Sequence, residues 1–298
     1  MFNSLFKTAF THPDPFIYAI WFFLLLILIE YIVSVKQQLE YYEKKDTFAN
    51  LAMALGVSFI GFFGKSLAFL YFSFFYAHKL FTINQNKWWT WLLLIILVDF
   101  SYYWYHRLSH EVRFLWASHI NHHSSQLFNF STALRQAWVG ASFYYIFWLW
   151  LVIIGFTPWS VLFCMSALHI YQFWVHTESI KKLGFLEKII VTPSFHRVHH
   201  GSNPQYIDKN HGGLLVVWDM LLGTYEEENE KVIYGLTTNI HSFNPLTIAF
   251  HEYKAIWRDI KNTGSFKNKL GYVFGTPSWK PKAEKNTSNN YKAFNSKS

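Results

Sequence analysis

The sequence predicts an all-α protein, an integral membrane helical bundle with a histidine-rich site for two metal ions on its cytosolic side. Of 298 residues, 52% are hydrophobic, 21% aromatic and only 15% charged, which sets the chain apart from ordinary soluble domains. The apolar residues gather in long runs. Nine of the fifteen histidines fall in tight groups: His106 and His110; His119, His122 and His123; His176; then His196, His199 and His200.

Residues 16–35 form an apolar run interrupted only by Glu30 and Ser34, long enough to cross a hydrocarbon layer of about 30 Å. No small-residue cleavage site follows, so it reads as a retained span. Residues 48–81 are long for one span and carry Gly56, Gly61, Gly64 and Lys65, which allows a kinked helix or a two-helix hairpin; one net crossing is preferred. Further apolar runs occupy 88–105, 138–154 and 159–175. The turn Gly155-Phe156-Thr157-Pro158 makes the last two an antiparallel hairpin. Residues 214–222 are apolar but too short to span, and pack under the histidines or lie in the interface. The Lys- and Asn-rich C-terminus, ending in residues 291–298, reads as a disordered, membrane-proximal basic tail.

The hairpin decides where the histidines meet. His106 to His123 precede it and His176 to His200 follow it, so both sets emerge on one side of the bilayer. Arg107, Arg113, Arg135, Lys181, Lys182, Lys188 and Arg197 lie in those loops, and positive-inside placement puts that face in the cytoplasm. The net charge of +8 therefore reflects membrane topology. The basic residues are scattered beside spans and not striped along a soluble face, which argues against nucleic acid. The single Cys164 rules out an intramolecular disulfide and a thiolate cluster, so any metal is held by imidazole.

On a helix, residues three and four apart are neighbours, so each histidine group can present its rings together. Nine imidazoles exceed the four ligands of structural zinc and the six of an octahedral ion, so two metals follow. His12, His78, His241 and His251 read as ordinary polar or interfacial residues. His169, seven residues before His176, and His211, in Asn210-His211-Gly212-Gly213, are candidates for a supporting role. Neutral imidazoles leave the metal charge high, which suits iron that activates oxygen; zinc fits the same ligands but has no redox chemistry. Glu111 is the one obvious acid beside the histidines, either orienting a ring N–H or donating a proton during O–O cleavage. Asp99, inside an apolar run, and Asp219 are weaker candidates of the same kind.

The order His106-Arg-Leu-Ser-His110, His119-Ile-Asn-His122-His123 and His196-Arg-Val-His199-His200 resembles the fatty acid hydroxylase superfamily, also called the sterol desaturase family, of integral membrane di-iron oxygenases. Asn129-Phe130-Ser131-Thr132-Ala133-Leu134-Arg135-Gln136, Gln172-Phe173-Trp174-Val175-His176-Thr177-Glu178 and Trp218-Asp219 are most similar to its ether-lipid branch. The resemblance runs over about 45–225 and extends to Phe274-Gly275-Thr276-Pro277-Ser278-Trp279. It implies a tetrahydrobiopterin-dependent enzyme that hydroxylates the alkyl carbon next to a glyceryl ether oxygen. It also implies two irons on the nine clustered histidines, an essential acid at Glu111, a lipid substrate, O2 and an electron donor that the sequence does not identify. Relatives often place a histidine four residues before the one matching His176; here Gln172 stands there, and His169 is displaced.

The organisation expected is membrane helices over 1–87, a hydroxylase-type catalytic domain with its membrane hairpin over 88–225, and a cytosolic segment with the basic tail over 226–298. The runner-up activity is a fatty acid or sterol hydroxylase or desaturase. A membrane metal-binding or transport protein would carry ligands near the midplane on broken helices. A haem electron carrier would need only two axial imidazoles.

Overall fold

The computed structural model describes residues 15–281, so His12 and the basic tail lie outside the described residues. Helix α1 (Pro15–Lys36) follows the first apolar run. Gln38 and Glu40 then take positive φ and turn the chain back, with Tyr41 donating its backbone N–H to Ser34 Oγ. Glu43 caps α2 (Lys44–Tyr76) by accepting from the Asp46 N–H at 2.7 Å.

At 33 residues α2 is one continuous helix, not a hairpin. Two of its glycines serve close approach: a Cβ on Gly56 would lie 2.2 Å from the Trp138 ring, and one on Gly64 2.2 Å from the Ala141 carbonyl oxygen. Helices α1 and α2 are both long and apolar enough to cross a membrane, and most of their surface is exposed. Their outward rows, Trp21 and Leu25 on α1 and Leu55, Phe59 and Phe62 on α2, form an apolar belt.

Helix α3 (Trp88–Glu111) carries the third apolar run into the first histidines. Two short helices follow, α4 (Arg113–Trp116) and α5 (Ile120–His123). The run at 138–154 departs from a regular span: it consists of 3-10 turns at Gly140–Ser142 and Tyr144–Trp148, then the six-residue α6 (Leu149–Ile154). Bulky aromatics at Tyr144, Tyr145, Phe147 and Trp148 wedge between neighbouring helices there, and Trp148 Nε1 donates to the Val98 carbonyl at 3.0 Å. The predicted turn ends α6: Gly155 has φ +135°, Thr157 caps α7 (Pro158–Trp174) and Pro158 opens it.

The main core lies between α2, α3, α6 and α7, around Phe72, Leu94, Val98, Trp148 and Met165. Helix α1 packs on α7 through stacked Phe23 and Phe173 rings at 3.9 Å. Beyond α7 come α8 (Pro193–His199), α9 (Val217–Leu222), α10 (Pro245–Asn262) and α11 (Phe266–Phe274). Only isolated bridges, Ile190 with Leu215 and Gly201 with Tyr234, interrupt the helical plan among the described residues.

The glycines of α2 are separable by substitution. Gly64→Ala should lower the thermal unfolding midpoint of the purified protein, because its methyl meets fixed backbone. Gly61→Ala, with nothing within 4 Å, should leave it unchanged or raise it, helix propensity favouring alanine by about 1 kcal/mol. Equal effects at the two positions would contradict the packing described.

Candidate metal centre

His106 and His110 stand one turn apart at the end of α3, both buried. Each H-x-x-H-H motif then divides. His119 and His123 gather with His106, His110 and His199, whereas His196 and His200 gather with His122 and His176. Successive helical residues project about 100° apart, so the second histidine of each motif, His122 or His199, crosses to the other group. The result is one group of five imidazoles and one of four, each with its ligand nitrogens within 4.8 Å of one another. The groups share a wall, where the His123 and His200 rings stack at 4.4 Å.

Four of the outer ring nitrogens are committed to carbonyls. His106 Nδ1 donates to His211 O at 2.9 Å, His122 Nδ1 to Arg135 O at 3.3 Å, His176 Nδ1 to Gln172 O at 2.7 Å and His199 Nδ1 to Lys209 O at 3.0 Å. A carbonyl only accepts, so these Nδ1 atoms carry the proton and each Nε2 turns a lone pair inward. Burial disfavours the imidazolium form, pushing His106 and His176 down to about 4 and the other seven well below their ordinary value.

These inward nitrogens face one another. His119 Nε2 lies 3.0 Å from both His106 Nε2 and His123 Nε2; His176 Nε2 lies 3.1 Å from His122 Nε2 and 3.0 Å from His196 Nε2. His122 and His176 both carry the proton on Nδ1, so their facing Nε2 lone pairs cannot hydrogen-bond to each other. Two bonds of about 2.1 Å meeting at right angles on a shared cation put their nitrogens about 3.0 Å apart, which is the spacing seen. His110 Nε2, His199 Nε2 and His200 Nε2 are buried without any hydrogen-bond partner. Both groups therefore fit a metal ion, and an all-imidazole donor set suits iron, zinc or copper.

A loop over residues 209–215 supports the first group, since its carbonyls receive His199 and His106. Two buried carboxylates hold that loop. Asp219 accepts from the His211 and Gly212 N–H groups, both at 2.7 Å, and from the Thr224 hydroxyl; Asp99 accepts from the N–H groups of Leu214 at 2.6 Å and Leu215 at 3.1 Å and from Trp218 Nε1. Burial raises Asp219 to about 6, opposed by those hydrogen bonds. Gln172 donates to the Gly213 carbonyl and so fastens α7 to the same loop.

His211 is buried with its ring centroid 5.1 Å from that of His110, yet it belongs to neither group. His169 lies farther out, between the rings of Tyr102 and Tyr144. Glu111 points away from the imidazoles: its side chain is 43% exposed and accepts from Arg107 Nε at 2.8 Å. Arg107 also donates to the Tyr103 hydroxyl, which meets the Thr224 hydroxyl at 2.9 Å and through it Asp219. A hydrogen-bond chain thus joins Glu111 to the loop that orients His106. His78, His241 and His251 stand apart from both groups.

The sequence reading missed three supports of the second group. Arg135, buried against Asp46 at 2.8 Å and Asn50 at 3.0 Å, fixes the carbonyl that receives His122. Arg197 grips Glu228 with two nitrogens and donates to the carbonyls of Thr177 and Ile180, tying α8 to the loop after His176. Glu30 reaches from α1 to accept from the Thr177 hydroxyl, Tyr42 OH and the Phe130 N–H. An acid inside an apolar run was the available signal for Glu30. Arg113, Arg135 and Arg197 thus sit in buried ion pairs, which leaves Lys181, Lys182 and Lys188 as the exposed basic residues of that topological argument.

Residues 91–224 match the family model for fatty acid hydroxylase, a segment that contains all nine clustered histidines. That segment is thus similar to a fatty acid hydroxylase domain. The chain is 40% identical over 286 residues to alkylglycerol monooxygenase of Homo sapiens, covering 94% of this chain and 63% of the relative. The enzyme of that name from Xenopus tropicalis is 37% identical over 293 residues with the same coverage, and that from Danio rerio 46% identical over 198 residues, 65% of this chain and 43% of the relative. The chain spans just under two thirds of the length of the first two. No solved structure matches it.

The unequal groups predict unequal metal loss. His122→Ala leaves three imidazoles in the second group and should bring bound metal, measured per chain by elemental analysis, down toward half. His199→Ala leaves four in the first group and should lose less. Unchanged metal content in His122→Ala would contradict this grouping.

Proposed function

We propose that the chain is a multi-pass membrane di-iron monooxygenase that hydroxylates a lipid alkyl chain, its preferred substrate being an O-alkylglycerol. The reading rests above all on two buried groups of neutral imidazoles in a chain similar to alkylglycerol monooxygenase along 94% of its length. His106, His110, His119, His123 and His199 would hold one iron, and His122, His176, His196 and His200 the other. Bound iron supplies oxygen activation; zinc in the same ligands would not.

The overall change inserts one oxygen atom of O2 into the C–H bond next to the ether oxygen, the second leaving as water with two electrons and two protons from a reductant. The hemiacetal then breaks its C–O bond to give a fatty aldehyde and a glycerol lipid. Tetrahydrobiopterin is the reductant proposed. The chain's own residues keep the centre dry and oriented: the Tyr102 ring lies 5.2 Å from His106, and Phe128 covers His176 and His200 at 5.6 and 5.0 Å. A lipid can present its alkyl chain from the bilayer beside α1 and α2, with the centre on the cytoplasmic face. We assign Glu111 a positioning role, acting on His106 through Arg107, Tyr103, Thr224 and Asp219. The family model's own name favours a second reading, hydroxylation of a fatty acyl chain.

Iron-loaded protein in lipid should convert a 1-O-alkylglycerol to fatty aldehyde in a reaction that requires both O2 and tetrahydrobiopterin. Bound iron with no aldehyde would reject the ether substrate and turn the search to acyl lipids and sterols. Glu111→Gln should lower turnover on the order of 10–100-fold while metal content is retained, as for residues that orient ligands. Wild-type turnover in that variant would remove Glu111 from the machinery.

A further inference from the structure

Helices α10 and α11 segregate their charges. The acids of α10 turn inward: Glu252 and Asp259 each accept from the Arg113 guanidinium at 2.7 Å, in the turn just after His110 and Glu111. The bases turn outward. Lys254, Arg258, Lys261 and Lys267 are exposed, and none of them forms an ion pair among the described residues.

Large apolar side chains share this outer surface. Trp257 is 59% exposed, with Lys261 Nζ 5.0 Å from its ring centre. On α11, Phe266, Leu270 and Phe274 recur every four residues as one exposed row, 74% and 63% open at its two ends, with Lys267 and Lys269 on either side. A row of apolar side chains edged by lysines is the pattern of a helix lying in a membrane surface, rings among the acyl chains and ammonium groups among the phosphates.

The position agrees with that chemistry. Ile248 and Ala249 of α10 pack on Ala49 and Met53, in the first turns of α2, and the exposed apolar row of α2 starts at the same level with Phe48 and Leu55. The outer surface of α10 and α11 thus continues the apolar belt of α2 at the belt's edge, where a bilayer's headgroups begin.

We propose that α10 and α11 form an in-plane arm that docks on anionic phospholipid headgroups and holds the His110 end of α3 at the membrane surface through Arg113. The arm is independent of which substrate the metal centre takes.

The chain's single cysteine, Cys164, is buried and can be replaced by alanine to clear the background. Spin labels on single cysteines at Phe266, Leu270 and Phe274 of the full chain are then read in nanodiscs, with Phe59 as lipid control and Glu227 as water control. Collision with oxygen against a water-soluble nickel complex should set all three arm positions near Phe59, and nearer in discs containing phosphatidylserine than in phosphatidylcholine alone. Lys267→Glu with Lys269→Glu should shift them toward Glu227 in the anionic discs.

Labels that meet nickel as freely as Glu227 in both lipids overturn the proposal. So do dipolar broadening between singly labelled copies, which would assign the face to a second chain, and immobile labels shielded from both relaxants, which would assign it to a protein segment. Equal depth in the two lipids overturns the anionic preference.

Discussion

The imidazole lone pairs of His122 and His176, held 3.1 Å apart in a buried space, are the constraint on which the rest of this fold depends. Without a cation between them, such nitrogens repel and lose the hydrogen bonds that water would give, and each buried polar group left unsatisfied costs on the order of 1–3 kcal/mol. A fold that pays this at several rings must be held by contacts elsewhere. With a cation bound, the same arrangement becomes the most favourable feature of the chain, since binding free energy and folding free energy then run in the same direction.

The holding contacts are buried charges with complete sets of partners. Asp99 and Asp219 each satisfy three donors around the loop that receives His106, and Arg135 bonds within the wall behind His122. Buried ions of this kind contribute little net stability, because desolvation offsets attraction, but removing one partner strands the other at a cost of about 3–5 kcal/mol. Their consequence is therefore geometric. They make the ring positions insensitive to movements of the surrounding helices, which an apolar core sliding on apolar surfaces would not achieve.

The histidine groups, the acid at Asp99, the turn at Gly155 and the helical class were legible in the sequence because each is a local signal: a spacing, a charge in an apolar run, a turn dipeptide, a long hydrophobic period. The division of each H-x-x-H-H motif between two groups was not, since it depends on two short helices meeting face to face. Nor was the irregular course of 138–154, where aromatic bulk fills gaps between helices and displaces the regular hydrogen-bond pattern that composition alone suggests. Arg113, Arg135 and Arg197 read as surface charge in sequence because their partners lie 31 to 146 residues away. Glu111 shows the converse: adjacency to His110 suggested contact with the centre, but the next residue on a helix points about 100° away, toward Arg107.

Glu30 changes how the first helix should be understood. A carboxylate in an apolar run is costly in the bilayer unless it finds donors, and this one finds the Thr177 hydroxyl directly after His176, along with Tyr42 OH and the Phe130 N–H. Helix α1 is thus more than an anchor. One of its carboxylate oxygens takes its donor from the loop bearing His176, and that loop in turn is fastened to α8 by Arg197. Packing of α1, ordering of the His176 loop and closure of the four-imidazole group are therefore coupled through one carboxylate. Helix α1 and the candidate metal centre form a single structural unit.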